Sequence, residues 1–219
     1  MINTEFNYDV WGMRRVGNHA IIEWIAQHFE RTLHRNDIIQ EKPWVIKEYG
    51  DGKYYDCHID SYEDFAPAFQ VVKDNTIILL RDWYNVSASR LFSGRGWHDT
   101  CRFPDKKDYI RSCEEVYIEY CKLWEQHPEK FILYNKWATD ENYEIEIEKR
   151  YGWKRSKRIQ KLPKSGIGRG SSFGDESSLN LVNERFMKIA NEHPHIWEQM
   201  IDNDEINKYN EQIFGLELK

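Results

Sequence analysis

The stretch GMRRVGNH, residues 12–19, follows a short apolar run, YDVWG (8–12). It leads into NHAIIEWIAQHF, where Ile21, Ile22, Ile25 and Phe29 fall at helical spacing behind Asn18, the expected N-cap. Strand, glycine-bounded turn and helix form the context of a phosphate-binding loop, in which backbone N–H groups and a helix N-terminus attract an anion. The nucleotide-hydrolysing version of that loop has Lys followed by Ser or Thr, and the hydroxyl binds magnesium. This chain has Asn18 and His19 there, and its nearby cations are Arg14 and Arg15. The combination suits a phosphate handled without a metal. The plainer reading is a tight turn that needs Gly12 and Gly17 for backbone reasons.

Working outward, WVIKEYG (44–50) reads as a strand, KYYDCHI (53–59) as a strand or extended loop, and DSYEDFAPAF (60–69) as a short helix. TIILLR (76–81) is an unbroken aliphatic run, the pattern of a parallel strand buried on both faces, with a helix after it over 84–92. An amphipathic helix over 106–126 puts Ile110, Cys113, Tyr117, Tyr120, Cys121 and Trp124 on one face. KFILYNKW (130–137) reads as a strand, DENYEIEIEKRY (140–151) as a helix closed by Gly152, and the last stretch as two or three short helices. Strands alternating with helices predict one α/β domain over 1–219, a three-layer α/β/α arrangement around a mostly parallel sheet. Its core spans about 8–175, with C-terminal helices over about 176–214.

A net charge of −6 argues against a general nucleic-acid or membrane-surface partner. Nine tryptophans and 40% hydrophobic residues supply an ordered core. No run of about 18 apolar residues occurs, and the N-terminus lacks the signal-peptide pattern, so a cytoplasmic protein is expected. Cys57, Cys101, Cys113 and Cys121 show no metal-binding spacing and are expected as reduced thiols, the last two partly buried on one helix. The segment from Lys154 to Arg169 holds seven Lys or Arg and no acid. With glycines beside it, this segment reads as a flap over an anionic ligand; the rival is an RNA-contacting patch.

A second signal is RDWYNVSAS (81–89), with Arg81 at a strand end and Ser89 on the next helix, able to converge on a second phosphate. Together the two stretches resemble the phosphate motifs of the sulfotransferases that use 3′-phosphoadenosine-5′-phosphosulfate (PAPS). The loop Arg14-Arg15-Val16-Gly17-Asn18-His19 is similar to their 5′-phosphosulfate loop, and Arg81 with Ser89 fits their Arg-x7-Ser 3′-phosphate motif. Arg169, Gly174 and Asp175 resemble a third element, which brings Gly170 and Ser171 beside the donor. The sequence departs from the family at Val16, where a serine is usual, at Asn18 and His19, where both threonines are, and at Trp83, where proline is.

The resemblance implies the sulfotransferase fold and metal-independent sulfuryl transfer from PAPS to a hydroxyl or amine. Adenosine 3′,5′-bisphosphate (PAP) would be the product, and a small molecule, saccharide or peptide the acceptor. It implies leaving-group stabilisation by Arg15, with Arg14 in reserve, and Tyr134 near the adenine. Two bases are candidates: His58, 23 residues before Arg81, and Glu48, beside Lys47. Two other classes stay open: a nucleotide or small-molecule kinase on the same loop, and a non-catalytic nucleotide- or anion-binding module.

Overall fold

The computed structural model describes residues 6–38, 45–50, 54–64, 71–92, 106–154, 185–192 and 194–216. Within them lie six strands: β1 (Phe6–Gly12), β2 (Arg31–Asn36), β3 (Val45–Gly50), β4 (Cys57–Glu63), β5 (Thr76–Leu80) and β6 (Phe131–Leu133). The α-helices are α1 (Asn18–Ala26), α2 (Trp83–Phe92), α3 (Lys106–Gln126), α4 (Tyr134–Thr139), α5 (Glu141–Tyr151), α6 (Arg185–Glu192), α7 (Pro194–Ile201) and α8 (Asp204–Phe214). The fold is α/β: one six-stranded sheet ordered β3-β2-β4-β1-β5-β6, parallel except for the antiparallel edge strand β3, with helices packed on it.

β5 is buried at every position, as its unbroken aliphatic sequence predicts for a strand covered on both faces. β1 lies between β4 and β5. From β1 the chain builds β2 and β4 on one side, then crosses to β5 and β6 on the other. The boundary between β1 and β5 is therefore where strand order reverses, the place at which open α/β sheets leave a crevice at their carboxyl ends.

Two helix groups pack separately. Trp24 of α1 meets Trp137 of α4 and Trp153, whose indole N–H donates to the Tyr8 hydroxyl of β1 at 2.9 Å. Elsewhere Trp83 of α2 lies on Tyr117 of α3, and the fully buried Asn210 of α8 accepts the Trp83 amide at 2.9 Å and the Tyr117 hydroxyl at 3.2 Å. That side chain stands in for a missing helical partner at the start of α2.

Several sequence expectations need correction. β2 (RTLHRN) escapes hydropathy patterning because its buried face is polar, with Thr32, His34 and Asn36 inward. Residues 60–63, expected as helix, continue β4. The strand expected over 130–137 stops at Leu133, because Tyr134, Trp137 and Ala138 are buried at helical spacing in α4. The N-cap of α1 is Gly17, in the left-handed region at φ 102°, and Asn18 is the first helical residue. Helix 106–126 and the Gly152 cap lie where expected. Cys57, Cys113 and Cys121 are buried free thiols; Cys101 lies outside the described residues.

Candidate functional site

The loop between β1 and α1 is shaped by two close approaches. A Cβ on Gly12 would stand 2.8 Å from Asn18 Oδ1 and 3.0 Å from Val16 Cγ2. A Cβ on Gly17 would stand 2.1 Å from the Tyr134 ring, and its φ is positive as well. Gly17 therefore excludes a side chain for two independent reasons, and one at Gly12 would have to displace Asn18 and crowd Val16. Arg15, between them, also has a positive φ, 76°. Val16 is fully buried, so this substitute for the family serine is a core residue. Asn18 is 5% exposed and donates to Glu63 Oε1 at 3.1 Å and to the Met13 carbonyl at 3.4 Å. The His19 ring faces His34, with centroids 6.3 Å apart. The Asn18 and His19 side chains, expected as hydrogen-bond donors to a phosphate, make these contacts within the protein instead.

On the β5 side, Arg81 is 2% exposed. Its Nη1 donates to the Arg15 carbonyl at 3.5 Å, and its guanidinium lies 4.9 Å from the centroid of the Tyr134 ring that covers Gly17. The loop and the second motif thus meet at the β1–β5 boundary. Ser89 is buried on α2, two helical turns after Asp82, which caps that helix by accepting the Asn85 amide at 2.9 Å and is tied to Asn135 at 2.8 Å.

On the opposite side, three carboxylates surround Arg14. Asp37 lies 3.2 Å from it, Glu63 3.4 Å and Asp64 3.6 Å. Asp64 also accepts the Arg14 backbone N–H at 2.9 Å and binds buried Arg90 through both oxygens, at 2.6 and 3.0 Å. Arg90 in turn donates to the Arg14 carbonyl and the Tyr109 hydroxyl. Asp37 and Asp64 have positive φ, 55° and 54°, and with Arg15 they are the non-glycine residues of that conformation among those described. Such strain persists where surrounding contacts over-determine it, and here all three instances adjoin Arg14.

The neighbouring acids Glu63 and Asp64 titrate in opposite directions. Burial raises Glu63 above the ordinary carboxylate range, against the Asn18 hydrogen bond and Arg14, which lower it. Burial pushes Asp64 the same way, but the Arg90 and Arg14 charges outweigh it and hold Asp64 below its usual value. Adjacent acids pushed apart by their surroundings are the pattern that divides proton transfer from fixed charge. Glu63 and Asp64 carry no sequence motif. They were hidden in a segment read as helix, and Asp37 follows a strand the pattern does not reveal.

The two expected bases lie elsewhere. His58 pairs with Asn7 in the register that pairs Glu63 with Gly12, so it is five residues down β4, roughly 16 Å from the loop end at about 3.3 Å per residue. Glu48 is in the same cross-strand row, opposite Leu33. It faces away from α1, bound to Arg31 at 2.5 Å and half exposed. Strand register puts both away from the loop; for His58, sequence separation from Arg81 carries no information about which end of a strand a residue occupies. Arg169, Gly170 and Ser171, with the rest of the third motif, lie outside the described residues.

Among the described residues no group of three or more His, Cys, Asp and Glu side chains is arranged to hold a metal ion, and no helix is long and apolar enough to cross a membrane. Comparison with protein-family models, curated proteins and solved structures found no match to this chain.

Proposed function

We propose that this chain is a PAPS-dependent sulfotransferase on a three-layer, P-loop-like scaffold, with the donor in the crevice between the ends of β1 and β5. The observation that carries the reading is the meeting of the two motifs: Arg81 reaches the loop carbonyl of Arg15 beneath the Tyr134 ring, over Gly17. The two flanks divide the ligand. Glycines that permit close backbone approach, with Arg15 and Arg81, fit an anionic donor. Carboxylates on the other flank oppose a phosphate and fit the acceptor end, where a proton must be removed.

The donor, when bound, supplies the sulfuryl group and a bisphosphate leaving group. Arg15 opposes the charge that grows on the bridging oxygen as its bond to sulfur breaks. Glu63 takes the proton of the acceptor hydroxyl or amine as the new bond to sulfur forms, replacing His58 and Glu48 in that role. Asp64 stays ionised, holding the loop through the Arg14 amide and Arg90.

Calorimetry with adenosine 3′,5′-bisphosphate, with and without magnesium, tests the reading. Metal-free binding is expected, weakened about 10-fold or more in Arg81→Ala, the loss of a charge-assisted partner worth about 1.5–3 kcal/mol. Glu63→Gln is expected to keep that affinity and lose transfer. Unchanged affinity in Arg81→Ala, or ATP binding that requires magnesium, overturns the assignment.

A further inference from the structure

Beneath α1, away from the loop crevice, three adjoining rings each carry a buried polar atom that has no partner among the described residues: Nδ1 of His19, Nδ1 of His34 and the Tyr49 hydroxyl. His34 is fully buried on β2, its ring centroid 6.3 Å from that of His19 and 6.5 Å from that of Tyr49, which stacks on it at 20°. Leaving a buried polar group unsatisfied is costly, so three on adjoining rings point to a shared partner.

The neighbouring bonds define what that partner must offer. Ser61 Oγ donates its single proton to Asn36 Oδ1 at 3.2 Å and accepts the Asp37 N–H at 3.4 Å. If the Ser61 proton stays on Asn36, the 2.9 Å contact between Ser61 Oγ and His34 Nε2 is made by a proton on the ring, and His34 Nδ1 is left as an acceptor. The occupant has to donate to His34 and accept from the Tyr49 hydroxyl. It also has to serve His19, whose tautomer no neighbour fixes. A cation is opposed by Lys47 and Arg15, whose charges act on these histidines, and a simple anion has no proton for His34. Glu23 acts on Tyr49. Water, with two donors and two acceptors, meets every requirement, and about three bonds are usual for a buried one.

We propose that His19, His34 and Tyr49 hold one structural water, which completes a hydrogen-bonded chain from edge strand β3 to the loop. The chain runs from Tyr49 through the water, His34 and Ser61 to the Asp37 amide, and Asp37 holds Arg14 at 3.2 Å. His34 and Tyr49 are positioning residues for Arg14, and this assignment does not depend on what the crevice binds.

Nitrogen-15 NMR of the full chain at neutral pH tests it without a ligand. His34 is expected as the Nε2–H tautomer, with a cross-peak to slowly exchanging water. Tyr49→Phe, which removes one oxygen and keeps the ring, is expected to lose that cross-peak and shift the Arg14 Nη2–H resonance, the group that Asp37 holds. A His34 protonated at Nδ1, or a crystal structure with no solvent or with a metal among the three side chains, overturns the site. An unmoved Arg14 resonance in Tyr49→Phe overturns the coupling.

Discussion

On the β2–β4 flank of the loop, Arg14 and Arg90 are locked into Asp37, Glu63 and Asp64; on the β5–β6 flank, Arg81 lies under an aromatic ring and reaches a main-chain carbonyl. The first flank is held by ionisable pairs and strained aspartates, the second by ring packing against a glycine. The difference teaches which perturbation each flank feels. Removing a charge is felt on the first, and adding a methyl group is felt on the second.

Four measurements break or sharpen that comparison. The largest effect is expected from Arg90→Ala, which takes from Asp64 the partner it binds through both oxygens and leaves it to Arg14; urea unfolding should show a loss of about 3–5 kcal/mol. Arg90→Ala combined with Asp64→Asn, which keeps an acceptor for the Arg14 N–H and tolerates the left-handed backbone, should recover part of it; an undiminished loss would mean that the unpaired charge is not what the single variant feels. Next comes Gly17→Ala, where a left-handed φ and the Tyr134 ring act together, with an expected loss of about 2–4 kcal/mol. Adding Tyr134→Ala should return part of that loss; strict additivity would show that ring and glycine do not interact.

Acid comes third. Burial, with Lys47 and Arg15, lowers His19 to about 4, and burial, with His19 and Lys47, lowers His34 to about 3. Folded pKa values below the unfolded 6.5 mean that the unfolded chain takes up protons first, so stability falls as pH drops below 6.5. Between pH 6.5 and 5.5 the two histidines together should cost about 2 kcal/mol. Asp64 adds to the loss at lower pH, and Glu63, whose pKa is raised, offsets part of it. His34→Gln should flatten the slope; an unchanged slope would place the sensitivity elsewhere. The smallest effect is expected from His58→Ala and Glu48→Gln, which should leave the rate of sulfuryl transfer within about twofold, since neither residue is near the loop by register. A larger loss of transfer would restore them as candidate bases.

The parts of the site legible in the sequence were those written as local chemistry. Gly12 and Gly17 announced a tight turn, and TIILL announced a central strand. The parts that were not legible depend on partners far along the chain. β2 buries Thr32, His34 and Asn36, which are polar, because Ser61 of β4 and the residues around it receive them. Glu63 lay unremarked in a stretch read as helix until register placed it opposite Gly12. Val16 and Asn18 looked like ligand contacts because a motif records order along the chain and not the direction a side chain takes.

By itself the sequence determined that a strand, a glycine-framed turn and a helix follow one another near the start of the chain. Hydrophobic periodicity and the steric permissiveness of glycine act over a few residues, so both can be read locally. Only the tertiary structure decided that Arg81 meets that turn while His58 does not, and that Glu63 and Asp64 stand beside it. Those outcomes rest on strand order and register, which are set by the packing of segments distant in sequence.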